Sequence, residues 1–600
     1  MNDSTRLDQQ IPEPQRTQPP RKLLRLRFPA ICLLVFWLLS FVVSALDKPY
    51  FVGFMYGLAS TGLITLLFFL WWWFNRGLRM WEKCAGFAFL LGEAWVVGRF
   101  SHPSIGLFTV WLVGLPIVAT LIVAWLWLVK RFNLSSARIG FALLVTLGWS
   151  HLLLVRVDGL DSTLSAKRHW RWTPTREEQF LAKSNSHSLS APAQRTNDLL
   201  IEPSPGIDWS DFRGPDRDGV ILGSFISTNW TVTPPSLVWK RPVGPAWSSL
   251  LVVSNRVYTQ EQRGEKETVV CYDATTGEPV WVHDDVARFE ESVSGAGPRA
   301  TPTYSRGRLY TLGGTGLLNC FEAETGKLIW KQDIKEASEA KVPMWGFVSS
   351  PLIAGELVVV YAGGEAGKGL LAYKLQSGEL AWTAAAGNSS YSSPQLTSLA
   401  GVPQCLMLND SGLTAVDTAS GKELWKTGVA MKNAPRCGQP RLVQGNQLLV
   451  ASVGGLGCSL IEVSKAAERW TVDTRWESKD LKPEFPDFVV QNGYAYGFDI
   501  AVFCCLKVAD GKRAWKEGRY GRGQVMLLRE QNLLLVVSES GELVLLAADP
   551  ATHRELARYR ALTGKTWNHP VVKGDRVYLR NAEEMACYSL STKTTKIVSR

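Results

Sequence analysis

The sequence predicts two architectures in one chain, an N-terminal all-α transmembrane bundle followed by an all-β propeller of eight blades. Three observations carry this. Apolar runs dominate before residue 156, whereas short alternating strands and turn residues follow it. The second part repeats one phrase, a strand closed by a Gly turn and a return strand bearing Trp. The tryptophans of that phrase, Trp281, Trp330, Trp382, Trp425, Trp470 and Trp515, recur every 43 to 52 residues, the length of one four-stranded blade and too long for most helical repeats. At 600 residues the chain also exceeds one compact domain, so at least two units are expected.

The chain carries 65 Lys and Arg against 54 Asp and Glu, a net charge of +11. Many of the basic residues sit beside apolar runs, where they orient membrane spans. No basic patch is interleaved with stacking aromatics, so the expected partner is a lipid bilayer and not nucleic acid.

Residues 1–27 read as a polar cytoplasmic tail, Pro/Gln-rich at its start. The region 28–156 reads as a transmembrane domain of about five helices, at 28–46, 50–74, 84–98, 105–129 and 139–155. The run 84–98 is short and contains Glu93. If all five span, Arg76, Arg79, Lys83, Lys130, Arg131 and Arg138 share the side of the basic N-terminus, and the opposite loops hold only Lys48 and Arg99. That alternation follows the positive-inside rule and places everything after residue 156 outside. Four spans would leave the propeller cytoplasmic, and a signal peptide ending near Ala45 is the remaining alternative. Glu93 has no opposite charge at helical spacing, so a packing or interfacial role is preferred over a proton or ion path.

Residues 157–206 read as a linker with one short helix, opened by the capping-box pair Thr175 and Glu178. A lead-in follows at 207–235, where Trp209, Phe212 and the turn residues of Asp208 to Gly219 suggest a fixed, looped path docked on a surface.

The propeller spans 236–600. Its phrase pairs Gly277 with Trp281, Gly326 with Trp330, Gly378 with Trp382, Gly421 with Trp425, a degenerate Ala466 with Trp470, and Gly511 with Trp515. The glycine supplies the positive φ of a tight hairpin, and the Trp can lie against the neighbouring blade as a flat wedge. Eight repeats are counted, the last with little chain left for an outer strand. Leu237-Val-Trp239-Lys, ahead of the first blade, has the pattern of that missing strand and can close the ring. Cys271, Cys320, Cys505 and Cys587 share a register that holds Ala372 and Ala415 elsewhere, marking a small buried strand position more than a disulfide framework. Adjacent Cys504 and Cys505 would point to opposite faces of one strand, against a vicinal disulfide.

The phrase Ala415-Val-Asp417-Thr-Ala-Ser-Gly421-Lys-Glu-Leu-Trp425 and its siblings resemble the tryptophan-docking repeat of the pyrroloquinoline quinone (PQQ)-like eight-bladed propellers. That family includes quinoprotein alcohol dehydrogenases and BamB-type outer-membrane assembly lipoproteins. Trp209-Ser-Asp-Phe-Arg-Gly-Pro215 resembles the lead-in of many members. The resemblance implies the fold over roughly 207–600 and leaves activity open, because the repeated residues build scaffold.

Function is therefore sought in what does not repeat. The loops entering the innermost strands and those between second and third strands open on one face. The entries offer Trp247, Arg299, Trp345, Tyr391, Arg436, Trp567 and His569 as a funnel rim suited to a flat aromatic or anionic ligand, or a peptide. The structural alternative is that their Ser-Pro pairs only start strands and the aromatics only fill the funnel. The expected function is a non-enzymatic, membrane-tethered binding or scaffold module outside the cytoplasmic membrane, its partner an envelope protein, peptide or polymer, with no catalytic residue, metal or cofactor. The alternative, which the resemblance implies, is a membrane-bound dehydrogenase using PQQ and Ca²⁺. Its oxygen ligands would come from Glu365, Asp410, Asp499, Glu539 or Glu583, but none stands in a recognisable motif.

Overall fold

The computed structural model describes residues 25–45, 50–132, 137–160, 166–186, 206–291, 293–427, 437–452, 457–485 and 487–592. The tail at 1–24, the linker at 187–205 and the rim residue Arg436 lie outside them. The chain divides into two compact units, Met1–Thr173 and Pro174–Arg600. The boundary falls later than the shift in composition near residue 156, because a β-hairpin continues the first unit.

That unit contains helices α1 (Arg27–Ala45), α2 (Tyr50–Phe74), α3 (Met80–Phe100), α4 (Leu115–Phe132) and α5 (Ala137–Ser150), with a π-helical turn at Val110–Gly114 leading into α4. Their directions alternate. At one end Trp71 Nε1 donates to Arg25 O at 2.8 Å, Lys83 Nζ to Trp73 O at 2.6 Å, and Arg138 pairs with Glu82 at 2.9 Å. At the other, Val157 N donates to Ser104 Oγ at 2.9 Å and Arg171 Nη1 to Phe100 O at 3.1 Å. Small residues let the helices approach: Gly114 takes the face of Trp149 and Gly140 that of Trp125. Glu93 of α3 accepts a hydrogen bond from Thr146 of α5 at 3.2 Å, a helix-packing contact. Two stretches, Met55–Phe74 and Leu107–Val129, are long and apolar enough to cross a membrane.

The segment expected to be linker instead pairs β1 (Val155–Leu160) with β2 (Ala166–Trp170) in an antiparallel hairpin. The second unit opens on α6 (Arg176–Ser186), whose capping box forms: Glu178 N donates to Thr175 Oγ1 at 3.0 Å, and Thr175 N to Glu178 Oε2 at 2.6 Å.

Eight sheets then form the propeller. Six take four consecutive strands, beginning with blade 1 at Leu251–Val253, Arg256–Arg263, Lys266–Asp273 and Pro279–Val286, and blade 7 adds Val220–Ile221 of the lead-in in parallel to its innermost strand, Gln524–Leu528. Blade 8 has three strands from 571–589 and borrows Ser236–Pro242 as its outer strand, with Trp239 opposite Cys587. The ring closes as the Trp239 pattern predicts, leaving no open seam.

The docking geometry repeats. Gly277, Gly326, Gly378 and Gly421 have φ of 70–73°, and a Cβ on any of them would fall 2.5–2.7 Å from the indole of Trp239, Trp281, Trp330 or Trp382 of the preceding outer strand. Each indole N–H donates to a carbonyl at the same turn, as Trp281 Nε1 does to Ala323 O at 2.9 Å. The small register position lies across the strand from Trp: Cys271 opposite Trp281, Cys320 opposite Trp330, Ala372 opposite Trp382, Ala415 opposite Trp425. All ten cysteines are free thiols, and Cys504 and Cys505 enter different core clusters.

The fifth blade departs from expectation. Its outer hairpin is longer, Gly457–Ala466 with Arg469–Ser478, and Trp476, not Trp470, docks on Gly511 and donates to Val508 O at 2.9 Å. Trp470 lies near the hairpin turn under Lys465 Nζ. With no glycine turn ahead of it, Trp425 bonds Gln404 Oε1 of its own blade at 2.7 Å. Trp515 donates to Asp549 O at 2.9 Å.

Candidate functional site

The innermost strands begin at Ser and Thr residues that join one blade to the next. Ser249 N donates to Thr301 Oγ1 at 3.1 Å, Thr301 N to Ser350 Oγ at 2.9 Å, and Ser350 N to Ser393 Oγ at 2.9 Å. Ser392 Oγ then donates to Gly438 O at 2.8 Å, and Gln439 N to Asp487 Oδ2 at 3.1 Å. The Ser-Pro and Thr-Pro entries are thus inter-blade stitches below the rim, satisfying buried backbone donors.

The lead-in does not lie on an outer surface. It enters the central channel near the far ends of the innermost strands and contacts all eight blades. Trp209 N donates to Val252 O (2.8 Å, blade 1), Tyr304 N to Ser210 O (2.8 Å, blade 2), Arg217 Nη1 to Pro351 O (2.9 Å, blade 3) and Gln395 Nε2 to Asp216 O (3.4 Å, blade 4). Arg441 Nη2 donates to Arg217 O (3.3 Å, blade 5), Arg213 Nη1 to Asp487 Oδ2 (2.6 Å, blade 6), Leu527 N to Gly219 O (2.9 Å, blade 7) and Lys573 Nζ to Asp208 Oδ1 (2.6 Å, blade 8). Arg213 and Arg217 adopt φ of 62° and 53°, a backbone cost tolerated because their buried guanidinia are paired with Asp487 and Asp211. Burial, offset only in part by Arg217, raises the Asp211 pKa. A cavity of about 430 Å³ remains between this plug and the blades, lined in part by Arg217, Gln395 and Arg441.

On the funnel face the rim aromatics form one arc. Trp247 lies 4.9 Å from Trp567, Trp567 4.9 Å from Phe485, Phe485 5.8 Å from Trp345, and Trp345 4.6 Å from Tyr391, measured between ring centroids. All five are half-buried. Cations cover parts of the arc: Lys565 Nζ sits 4.2 Å from the Trp567 ring and Arg522 5.3 Å from that of Phe485. A cavity of about 730 Å³ opens beside its Tyr391 end, lined also by Met344, Phe347, Tyr361 and Lys368.

Of the rim residues expected from sequence, Trp247, Trp345, Tyr391 and Trp567 come together here. Trp247 and Trp567 are oriented by their indole N–H groups, which donate to Ser294 O at 2.9 Å and Glu539 Oε1 at 2.8 Å. Arg299 is engaged within the wall: it pairs with Glu291 at 2.9 Å and covers Phe289 at 4.7 Å, and burial holds its guanidinium down to about 10. His569 is below the rim and buried, with Arg213 Nε donating to its Nε2 at 3.4 Å. Burial and the Arg213 charge push its pKa down to about 3, so it is a neutral packing residue against the plug. Phe485 was not among the expected residues. Its entry, Glu484-Phe485-Pro486-Asp487, lacks the Ser-Pro pattern of its neighbours, although an aromatic beside a proline in an entry loop was the available signal.

The carboxylates considered as oxygen ligands are engaged separately. Asp410 Oδ1 accepts from Asn388 N at 2.9 Å, Asp499 pairs with Lys516 at 2.6 Å, Glu539 holds Trp567, and Glu583 faces Arg176 at 3.4 Å. Glu365 contributes its backbone carbonyl to a turn. Among the described residues no three His, Cys, Asp or Glu side chains converge as a metal donor set. The five carboxylates thus stand apart and do not form the oxygen-donor set that calcium and the quinone require.

Residues 265–517 match the family model described as outer membrane protein assembly factor BamB. Similar solved structures include BamB from Moraxella catarrhalis, at 17% identity over 59% of this chain and 99% of that one, with a TM-score of 0.44. A quinohemoprotein alcohol dehydrogenase from Pseudomonas putida matches at 14% identity over 66% of this chain and 82% of its own, TM-score 0.48, and one from Comamonas testosteroni at 15% over 65% and 82%, TM-score 0.46. No curated protein matches the sequence. The eight-bladed propeller stands on the strand pairing and the docking repeats.

Proposed function

We propose that this chain is a membrane-tethered binding module of the cell envelope, without catalytic activity, that captures an extended protein segment across its funnel face. The observation that carries this reading is the arc of Trp247, Trp567, Phe485, Trp345 and Tyr391. Half-buried aromatics flanked by Lys565 and Arg522 are the side chains that dominate protein interfaces. The cavity at Met344 and Tyr391 is large enough for one or two partner side chains. The BamB family match supports a protein partner over a small substrate. The apolar helices of the first unit and their alternating directions support a tether in the cytoplasmic membrane, with the N-terminus inside and the propeller outside.

The test is a photoreactive phenylalanine analogue at Tyr391 in the full chain, irradiated in its own membrane. The expected result is a discrete protein adduct that disappears in a Trp345→Ala/Trp567→Ala background. The reading is overturned by adducts indistinguishable from those at Val286, an outer-strand residue 87% exposed. Arg299 is left intact because its buried pair with Glu291 would make loss of folding and loss of capture indistinguishable. A reporter after Val155 that is active only in the cytoplasm would overturn the topology.

A further inference from the structure

The hairpin that ends the first unit presents two tryptophans to the surroundings. Trp170 and Trp172 are 54% and 66% exposed and stack face to face, 5.3 Å apart with 5° between their planes. Exposing two large aromatics is unfavourable in water, and a rigid mount makes it more so because they cannot fold away. The mount is rigid. Val155 pairs with Trp170, Arg156 with His169 and Val157 with Arg168. Arg171 N donates to Leu154 O at 2.8 Å. Buried Arg156 donates to Thr173 O at 2.5 Å and to Asp158 at 2.8 Å.

The same contacts set the level of the pair. Val157 N donates to Ser104 Oγ just beyond α3, Arg171 Nη1 to Phe100 O at the end of α3, and β1 starts within one turn of the end of α5. The tryptophans are therefore held where α3 and α5 terminate. Trp95, Phe100 and Leu154 are exposed in the same region, at 65%, 63% and 46%. Charge is one-sided there. Arg99, Arg168 and Arg171 are exposed, and the only carboxylate among the described hairpin residues, Asp158, is already paired with Arg156.

We propose that this hairpin is an anchor in the phospholipid headgroup layer, with Trp170 and Trp172 lying among the headgroups and Arg168 and Arg171 binding the phosphates of anionic lipid. The inference rests on the reading that the apolar helices cross a bilayer. An indole has an apolar body and an N–H donor, which suits the boundary between acyl chains and water. A guanidinium binds phosphate with two parallel hydrogen bonds. The exposed indoles, the unopposed cations and the helix ends thus call for one and the same surroundings.

The test uses the full chain reconstituted in vesicles of phosphatidylcholine with or without phosphatidylglycerol. One probe is phosphatidylglycerol photoreactive in its headgroup, and the second is a phospholipid photoreactive at the end of its acyl chain. The headgroup probe is expected to label peptides within 166–173. Labelling should fall at least about fivefold in Arg168→Gln/Arg171→Gln, as removal of basic contacts to anionic lipid predicts, while acyl-chain labelling of α2 and α4 is unchanged. Acyl-chain labelling of α2 and α4 with no headgroup labelling at 166–173, or with labelling insensitive both to the arginine pair and to Trp170→Ala/Trp172→Ala, overturns the anchor alone. Absence of acyl-chain labelling in α2 and α4 overturns the membrane reading, and the anchor with it.

Discussion

Arg213 Nη1 lies 2.6 Å from Asp487 Oδ2, and both groups are buried, so the plug and the sixth blade share an ion pair inside the channel. Asp487 also accepts from Gln439 N, and Arg213 reaches Phe488 O and the ring of His569. Removing one partner strands the other without solvent, which costs roughly 3–5 kcal/mol. Arg213→Met is expected to lower the urea midpoint of the full chain strongly, and Arg213→Met/Asp487→Leu to recover part of the loss. A double variant as damaged as the sum of the two singles would show that the pair is not coupled.

Trp476 and Trp470 are six positions apart in one strand and do different work. Trp476 covers Gly511 and closes the fifth blade onto the sixth. Trp470 lies beside its own hairpin turn. Trp476→Ala is expected to cost up to about 3 kcal/mol, the low end of the range for a buried aromatic because the indole is half-buried, and Trp470→Ala clearly less. Thermal unfolding of the two variants checks the order, and equal losses would refute the assignment of docking to Trp476.

How legible this was in the sequence depended on whether neighbours in space repeat. Trp281, Cys271 and Gly326 were readable because each blade restates the same contact at the same spacing. Trp476 was not, because the fifth hairpin is longer and carries the contact six residues along while leaving a decoy Trp at the usual place. The plug's aromatics and turn residues signalled a fixed path, but its contacts lie on eight separated segments with no common pattern, so the channel could not be inferred. Phe485 was hidden for the same reason. His569 looked like a rim residue because its entry loop reads like the others; its burial against Arg213, which lowers its pKa, is visible only in the fold.

Gly326 and Gly355 separate backbone strain from docking. Both have positive φ, 73° and 62°. A Cβ on Gly355 meets nothing within 4 Å, whereas one on Gly326 would fall 2.5 Å from the Trp281 ring. Gly355→Ala should therefore cost about 1 kcal/mol for its conformation alone. Gly326→Ala should cost a further 1–3 kcal/mol, roughly, for overpacking. Chemical denaturation reads the difference, and equal midpoints would mean that the indole yields without cost.

Glu267 makes the contact between the first and second blades depend on pH. Its carboxylate, 5% exposed, accepts from Thr315 N at 3.2 Å and Thr315 Oγ1 at 3.0 Å. Burial raises its pKa from 4.5 to about 7, because the hydrogen bonds from Thr315 and Gly314 compensate only partly and Asp285 adds repulsion. A raised carboxyl pKa means that the folded state holds a proton which the unfolded state releases above about 4.5. Stability from this group is thus greatest below pH 4.5, falls as pH rises towards 7, and is flat beyond, the whole change being on the order of 3 kcal/mol. Glu267→Gln carries no such proton, so its stability relative to wild type should rise between pH 5 and pH 8 by roughly that amount. Melting temperatures of both proteins across this window decide the matter, and parallel curves would show that Glu267 does not titrate within it.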